Sequence, residues 1–193
     1  MDFKRKTRII LTGGPCSGKS YAIENFFSND IVKIPEVATY LLENNYFPAP
    51  PEGDKTEWQA NFQVAIMKAQ FILESEIFHN DDNYFVVQDR GIADGAAYMP
   101  NGIKDLEEKM EKFFGMKVYE QIGWKTIVVI LSIPDEKSYN KLKETNPHRM
   151  ENYADALKAH NKIIEVYQAS PYKHVIISGS YKDNYKAIEK ILN

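Results

Sequence analysis

Short apolar runs alternate along the chain with longer segments in which apolar residues recur every three or four positions. The short runs are rich in β-branched residues, which is typical of strands buried on both faces. The longer segments have the period of amphipathic helices. This alternation predicts an α/β fold, in which helices connect the strands of a parallel sheet and cover both of its faces.

The pattern sets approximate bounds for these elements. Strands are expected over residues 7–12, 31–34, 84–88, 126–133 and 174–177. Helices are expected over residues 18–27, 37–44, 57–78, 105–114, 118–122, 138–144, 152–170 and 182–192. The proline-rich stretch 47–54 is expected to be an exposed loop, because proline disrupts helices and central strands.

The turn between the first strand and the first helix has the pattern G-x-x-x-x-G-K-[ST], typical of a phosphate-binding loop. Its residues are Gly13, Gly14, Pro15, Cys16, Ser17, Gly18, Lys19 and Ser20. Glycines allow successive backbone N–H groups to point at one anion, and the helix start adds unpaired N–H groups. In this pattern Lys19 reaches the β- and γ-phosphates, and the Ser20 hydroxyl binds Mg²⁺. The flanking strand and helix make a chance glycine turn the weaker interpretation, so we expect binding of a nucleoside triphosphate, ATP or GTP.

Two carboxylates follow other expected strands. Glu36 comes after the second strand, where it either interacts with the dipole of the next helix or belongs to a site. Asp89 follows the third strand, the position from which a P-loop fold holds Mg²⁺ or its water; a turn aspartate in a surface ion pair is the alternative. Arg90 either holds a phosphate or the acceptor, or forms a structural ion pair. Asp94 either caps the turn or orients Arg90.

Gln63, Gln70 and Glu74 lie on a second face of the long helix expected over residues 57–78, at spacings of seven and four. Because such a polar face is usually solvated, we expect it to face water. The alternative is that Trp58 and these amides line a pocket for a phosphoryl acceptor.

A polar stretch precedes the helix expected from residue 152, and it carries His148 and Arg149. A cation in that position would close over a transferring phosphoryl group. We therefore expect a lid over residues 144–152 with Arg149 as its arginine. A solvated loop arginine is the alternative, and His148 is expected to be an ordinary loop histidine.

Length and composition limit the function classes. The 193 residues suit one domain, and a net charge of −3 argues against DNA as the main partner. The basic cluster Lys4–Arg8 is expected to be a solvated edge. A single cysteine excludes an internal disulfide, and no apolar run suits a signal peptide or a membrane span, so a cytoplasmic protein is expected.

Several motifs together resemble one family, the AAA-type ATP-binding domains similar to the ribosylnicotinamide kinase domain of the bacterial NAD-biosynthesis regulator. The motifs are Thr12–Ser20, Pro35–Ala38, Gln88–Asp94 with Ala97 and Tyr98, and Asn146–Arg149 with the helix ending near Tyr167. More distantly, the layout is similar to that of deoxynucleoside kinases. Lids of nucleoside kinases often carry several arginines, and this one has Arg149 alone.

The resemblance implies a three-layer P-loop NTPase fold with the sheet order 2-3-1-4-5. It also implies that Glu36 is the base for the acceptor hydroxyl, that Asp89 and Arg90 are the metal and substrate pair, and that Arg149 is the lid arginine. Animal relatives resemble nucleotide-binding switches with lipid or tubulin partners.

Two functions are therefore expected. The first is a small-molecule kinase that transfers the γ-phosphoryl group of MgATP or MgGTP to a nucleoside-like or other hydroxylated metabolite. The alternative is a nucleotide-dependent switch or NTPase that acts through a protein or lipid partner. A homodimer, formed through an apolar helix face such as that of residues 105–114, is an open expectation.

Overall fold

The computed structural model describes residues 6–80, 85–120, 123–144, 151–178, 186–188 and 190. The strands in these ranges are β1 (Thr7–Thr12), β2 (Val32–Ile34), β3 (Phe85–Asp89), β4 (Lys125–Leu131) and β5 (Lys173–Ile177). The α-helices are α1 (Lys19–Phe26), α2 (Val37–Glu43), α3 (Thr56–Asn80), α4 (Ile103–Phe114), α5 (Glu136–Lys143) and α6 (Tyr153–Gln168). A 3₁₀ helix covers Ile92–Tyr98.

The strands form a five-stranded, all-parallel sheet in the order β2-β3-β1-β4-β5. This confirms the predicted order and the predicted P-loop NTPase fold. β1 lies at the centre, between β3 and β4. Because all strands run in one direction, the residues that follow β1, β2 and β3 meet at the same edge of the sheet.

Successive residues of β1 face opposite sides of the sheet, and each side has its own core. Ile10 packs with residues of α3, the 3₁₀ helix, α4 and α6. Ile9 and Leu11 pack with Ala22 and Ile23 of α1 and with Ile177 of β5. Helices therefore cover both faces, as the apolar pattern predicts.

Some predicted bounds differ from those observed. The 3₁₀ helix was not predicted; it is short and begins where the Asp94 carboxylate accepts the Gly91 N–H at 2.9 Å. The helix expected over residues 118–122 is a turn over 118–120, where the Glu107 carboxylate binds the Val118 N–H. Residues 121–122 lie outside the described residues, as do most of the helix expected over 182–192 and residues 179–181 of the loop before it.

The expectation of a solvated basic edge is wrong for Arg8, whose side chain is fully buried in an ion pair with Glu74. Thr126 accepts a further hydrogen bond from Arg8 at 3.2 Å, and Gln88 donates to Glu74 at 2.6 Å. Burial is possible because the two charges neutralise each other and these partners add hydrogen bonds to both of them. Lys4 and Arg5 lie outside the described residues.

Candidate functional site

The P-loop connects β1 directly to α1, and its backbone requires glycine at two points. Gly13 has a φ of 134°, and a Cβ atom there would lie 2.2 Å from the carbonyl oxygen of Leu131. Gly18 has a φ of 85° and occupies the N-cap position of α1. Cys16 also has a positive φ, of 60°, which is uncommon for a side-chain-bearing residue. The loop is thus wound tightly around the start of α1.

Lys19 is the first residue of α1, and its ammonium group lies over the loop. Its Nζ donates to the carbonyl of Gly14 at 3.1 Å and to Ser17 Oγ at 3.3 Å. The residue is only 6 % exposed. Burial and the charge of Arg90 together lower the pKa of Lys19 to about 8, against the opposing influence of nearby carboxylates. A phosphate bound at the loop would favour the charged form of this lysine.

Ser20 and Asp89 form the second part of the site. The Ser20 hydroxyl donates to Asp89 Oδ2 at 2.7 Å, because the ends of β1 and β3 lie side by side. Asp89 is 4 % exposed, and its Oδ1 accepts no hydrogen bond from the described part of the chain. Burial raises the pKa of Asp89. An unpartnered, buried carboxylate oxygen next to a hydroxyl is a donor set that fits Mg²⁺.

Arg90 is held in a strained conformation by its backbone contacts. Its φ is 68°, in the left-handed region, which costs about 1–2 kcal/mol for a residue other than glycine. The Arg90 N–H donates to the Leu11 carbonyl at 2.9 Å, and its own carbonyl accepts from Gln70 Nε2 at 2.8 Å. These bonds fix the direction of the side chain, whose Nη1 donates to the P-loop carbonyl of Gly13 at 3.2 Å.

Glu36 lies opposite Arg90 at the start of α2. Its Oε1 accepts from Arg90 Nε at 2.6 Å, and its Oε2 accepts from Thr39 Oγ1 at 2.8 Å. Its side chain makes no capping hydrogen bond to the backbone of α2. Burial acts to raise the pKa of Glu36, but the charges of Arg90 and Lys19 lower it to about 2. Glu36 is therefore a firmly ionised carboxylate.

Asp94 fixes Arg90 from the other side, so the expected orienting contact is present. Its Oδ1 accepts from Arg90 Nη1 at 3.4 Å and from the hydroxyl of Thr12. Its Oδ2 accepts from the Tyr167 hydroxyl at 2.6 Å. Asp94 is 3 % exposed, and these donors compensate for the cost of burying its charge.

His160 of α6 contacts the P-loop, which the sequence reasoning missed. Its Nδ1 accepts the Gly14 N–H at 3.1 Å. Burial, together with the charge of Lys19, lowers the pKa of His160. Its spacing from the apolar positions Ala156 and Ile163 indicates a buried face of α6, but no local signal identifies a partner 146 residues away.

The structure thus brings Lys19, Ser20, Glu36, Asp89 and Arg90 together at the carboxyl edge of the sheet. Two contacts define the group, the ion pair between Arg90 and Glu36 and the hydrogen bond from Ser20 to Asp89. Arg149 and His148 lie outside the described residues, as does most of the expected lid.

Two clefts open on either side of Glu36. The first encloses about 120 Å³ and is also lined by Phe62, Gln63, Arg90 and Tyr98, among others. Its lining combines aromatic side chains with a few polar groups, as small-molecule sites do. The second is lined by Ser20, Ile23, Glu24, Lys33, Thr39, Tyr40 and Asp89, among others.

The polar face predicted for α3 is not solvated, so that expectation is wrong. Gln63, Gln70 and Glu74 are 5, 3 and 0 % exposed. Gln63 and Gln70 line the first cleft, whereas Glu74 pairs with Arg8 and Trp58 packs on Phe62. The amide of Gln63 has no hydrogen-bond partner among the described residues, which leaves its donor and its acceptor available to a ligand in the cleft.

Comparison with known proteins decides the family. A family model described as an AAA domain matches residues 8–184. The chain belongs to this AAA domain family. The expectation of an AAA-type, nucleotide-binding P-loop domain is thereby confirmed. No curated protein matches the chain.

Two solved structures show that other proteins share the fold of this AAA domain. One is the YorR protein from Bacillus subtilis in complex with phosphorylated GDP, with 15 % identity, a TM-score of 0.53, and coverage of 96 % of this chain and 95 % of that one. The other is NadR in complex with NAD and AMP-PNP, with 16 % identity, a TM-score of 0.62, and coverage of 98 % of this chain. This chain spans 50 % of the NadR chain.

None of the helices in the described ranges combines the length and the apolar character needed to cross a bilayer.

Proposed function

We propose that this AAA domain is a kinase that transfers the γ-phosphoryl group of MgATP or MgGTP to a hydroxyl group of a small metabolite. The observation that carries the proposal is the position of Glu36 and Arg90. They link the P-loop to a cleft lined by aromatic, amide and charged side chains. A domain that only bound nucleotide would not need a partly buried ion pair in the lining of a cleft beside the P-loop.

The triphosphate would lie on the P-loop amides, with Lys19 next to its β- and γ-phosphates. Ser20 and Asp89 would hold Mg²⁺, directly or through water, and the ion would supply positive charge to the transferring group. Arg90 is already fixed against the Gly13 carbonyl, so it would face the γ-phosphate side of the loop without rearranging its backbone.

Glu36 would orient the acceptor hydroxyl. A carboxylate with a pKa of about 2 is a weak base, but phosphoryl transfer through a loose transition state needs positioning more than early deprotonation. An ionised Glu36 would accept a hydrogen bond from the hydroxyl and take its proton late in the reaction.

The acceptor is proposed to be a neutral or cationic, nucleoside-like molecule. Among the described residues, three carboxylates, those of Glu36, Asp94 and Glu151, line the first cleft, and Arg90 supplies its one guanidinium. This charge balance disfavours acceptors that already carry a phosphate. The free amide of Gln63 would bind a polar edge of the acceptor, and Phe62 would contact its flat face.

The rest of the predicted machinery belongs to the same proposal. Residues 1–193 would form one domain in which the lid over residues 144–152 brings Arg149 to the transferring group. The nucleotides in the YorR and NadR complexes support a nucleotide ligand here. A soluble, cytoplasmic protein is the setting in which we expect this reaction, and a homodimer stays a prediction.

A transfer assay tests the proposal. The protein is incubated with Mg²⁺, γ-labelled ATP or GTP, and a panel of nucleosides and their monophosphates. We expect a labelled product from an acceptor without phosphate and none from the monophosphates. Because Glu36 would orient the reacting hydroxyl, Glu36→Gln should lower kcat by about a hundredfold.

The control is Glu57→Gln, an exposed carboxylate in the first turn of α3, which should keep full activity. Nucleotide binding with hydrolysis alone across the whole panel would contradict the kinase proposal. It would favour the alternative, a nucleotide-dependent switch that recruits a protein or lipid partner.

A further inference from the structure

Helix α6 contacts both halves of the site from one face. His160 and Tyr167 are seven residues apart, about two helical turns, so they project from the same side of the helix. His160 reaches the P-loop at Gly14, and Tyr167 reaches Asp94 beside Arg90.

The peptide unit that joins Gly13 to Gly14 is held at both of its polar groups. His160 Nδ1 accepts the Gly14 N–H at 3.1 Å, and the Gly13 carbonyl accepts from Arg90 Nη1 at 3.2 Å and from Lys19 Nζ at 3.5 Å. A Cβ atom at Gly14 would lie 2.9 Å from the Cβ of His160 and 2.6 Å from the Cγ2 of Ile133. Helix α6 therefore packs directly against the loop, and no side chain fits between them.

The hydrogen bond defines the form of the imidazole. A backbone N–H can only donate, so Nδ1 must be unprotonated and the neutral ring carries its proton on Nε2. Lys19 is the charged group whose field acts on His160, and a second cation so close to it would be unfavourable. The site favours a neutral acceptor at this position.

We propose that His160 is a positioning residue for nucleotide binding, acting through the peptide unit between Gly13 and Gly14. Without an acceptor on α6, this peptide could rotate, and the Gly13 carbonyl would no longer direct Arg90 and Lys19 over the loop. His160 itself does not contact the nucleotide. Its contribution is to hold the loop in the conformation that the triphosphate requires, so that less conformational entropy is lost on binding.

Three substitutions separate the hydrogen bond from simple packing. His160→Asn keeps an acceptor oxygen near the position of Nδ1. His160→Leu keeps bulk but has no acceptor. His160→Gln places its amide near the position of Nε2 instead. Binding of MgATP and MgGTP is measured by calorimetry without any acceptor metabolite, so the result does not depend on whether the proposed transfer reaction occurs.

We expect His160→Leu and His160→Gln to weaken nucleotide binding by about tenfold, the usual effect of losing one such bond. His160→Asn should stay within about threefold of the wild type. If binding weakens equally in all three variants, or if only the melting temperature falls while affinity stays constant, the proposal is wrong. Should the leucine variant fail to fold, the comparison of His160→Asn with His160→Gln decides the matter in the same way.

Discussion

At the scale of single residues, the site depends on how charges are paired. Glu36 and Arg90 bond at 2.6 Å, and Arg90 also contacts Asp94. The pair is partly shielded from water, with the side chain of Glu36 27 % exposed and that of Arg90 14 % exposed. Its attraction is therefore stronger than that of a surface ion pair.

This pairing predicts a pH-dependent contribution to stability. The pKa of Glu36 is lowered from an ordinary value of 4.5 to about 2, so its ionised form is stabilised in the folded state. The contribution is fully present above pH 4.5, is worth about 3 kcal/mol there, and is lost as the pH falls toward 2. Urea unfolding of the wild type and of Glu36→Gln should show a difference at pH 7 that shrinks at pH 3. A difference that stays constant over this range would contradict the assignment.

The positions of Glu36, Asp89 and Arg90 could be predicted because each lies at or just after the end of a strand in a parallel sheet, and strand ends determine where such residues meet. The contacts between these side chains could not be predicted from the sequence. The bond between Glu36 and Arg90 connects residues 54 positions apart, and the left-handed backbone of Arg90 has no signature in the sequence.

At the scale of elements, α3 and α6 differ most from their sequence interpretations. α3 packs against both α2 and the 3₁₀ helix, so two of its sides are covered and its amides are buried. α6 has nearly the predicted bounds, but its functional contacts depend on partners 73 and 146 positions away. Periodicity predicts that a helix has a buried face; it does not predict what that face binds.

Helix α6 yields a prediction through Tyr167. Tyr167→Phe keeps the ring but removes the hydroxyl that donates to Asp94 at 2.6 Å, leaving a buried carboxylate one donor short. We expect a loss of about 1.5–3 kcal/mol in the free energy of unfolding, measured by denaturant titration. The matched control is Tyr119→Phe, whose hydroxyl donates to the neutral Val166 carbonyl at 3.2 Å and should cost about 1 kcal/mol or less. Equal losses in the two variants would show that the charge of Asp94 does not matter.

At the scale of the whole molecule, the sheet has two ends with different roles. The candidate site lies beyond the carboxyl ends of β1, β2 and β3. Arg8 and Glu74 are buried near the opposite end of β1, with Gln88 and Thr126. The sequence pattern predicts that Arg8 lies on a strand and Glu74 on a helix. It does not predict their burial, because that depends on an ion pair between residues 66 positions apart.

The buried pair predicts a stability effect that a double substitution reverses. Glu74→Leu leaves the Arg8 charge unpaired in the core and should cost about 3–5 kcal/mol. The double variant Arg8→Met with Glu74→Leu replaces both charges by apolar groups and should recover most of that loss. Thermal and urea unfolding of the single and double variants measure both effects. A double variant no more stable than the single one would mean that the pair is not an isolated unit.

Glu36 lines both clefts. The Glu36 carboxylate can therefore contact a ligand in either cleft. In the proposed reaction, a divalent cation near Asp89 would interact with the same negative charge that an acceptor hydroxyl would meet in the other cleft. Coupling between the bound nucleotide with its cation and the acceptor would then require no domain movement, because the Glu36 side chain would interact with both.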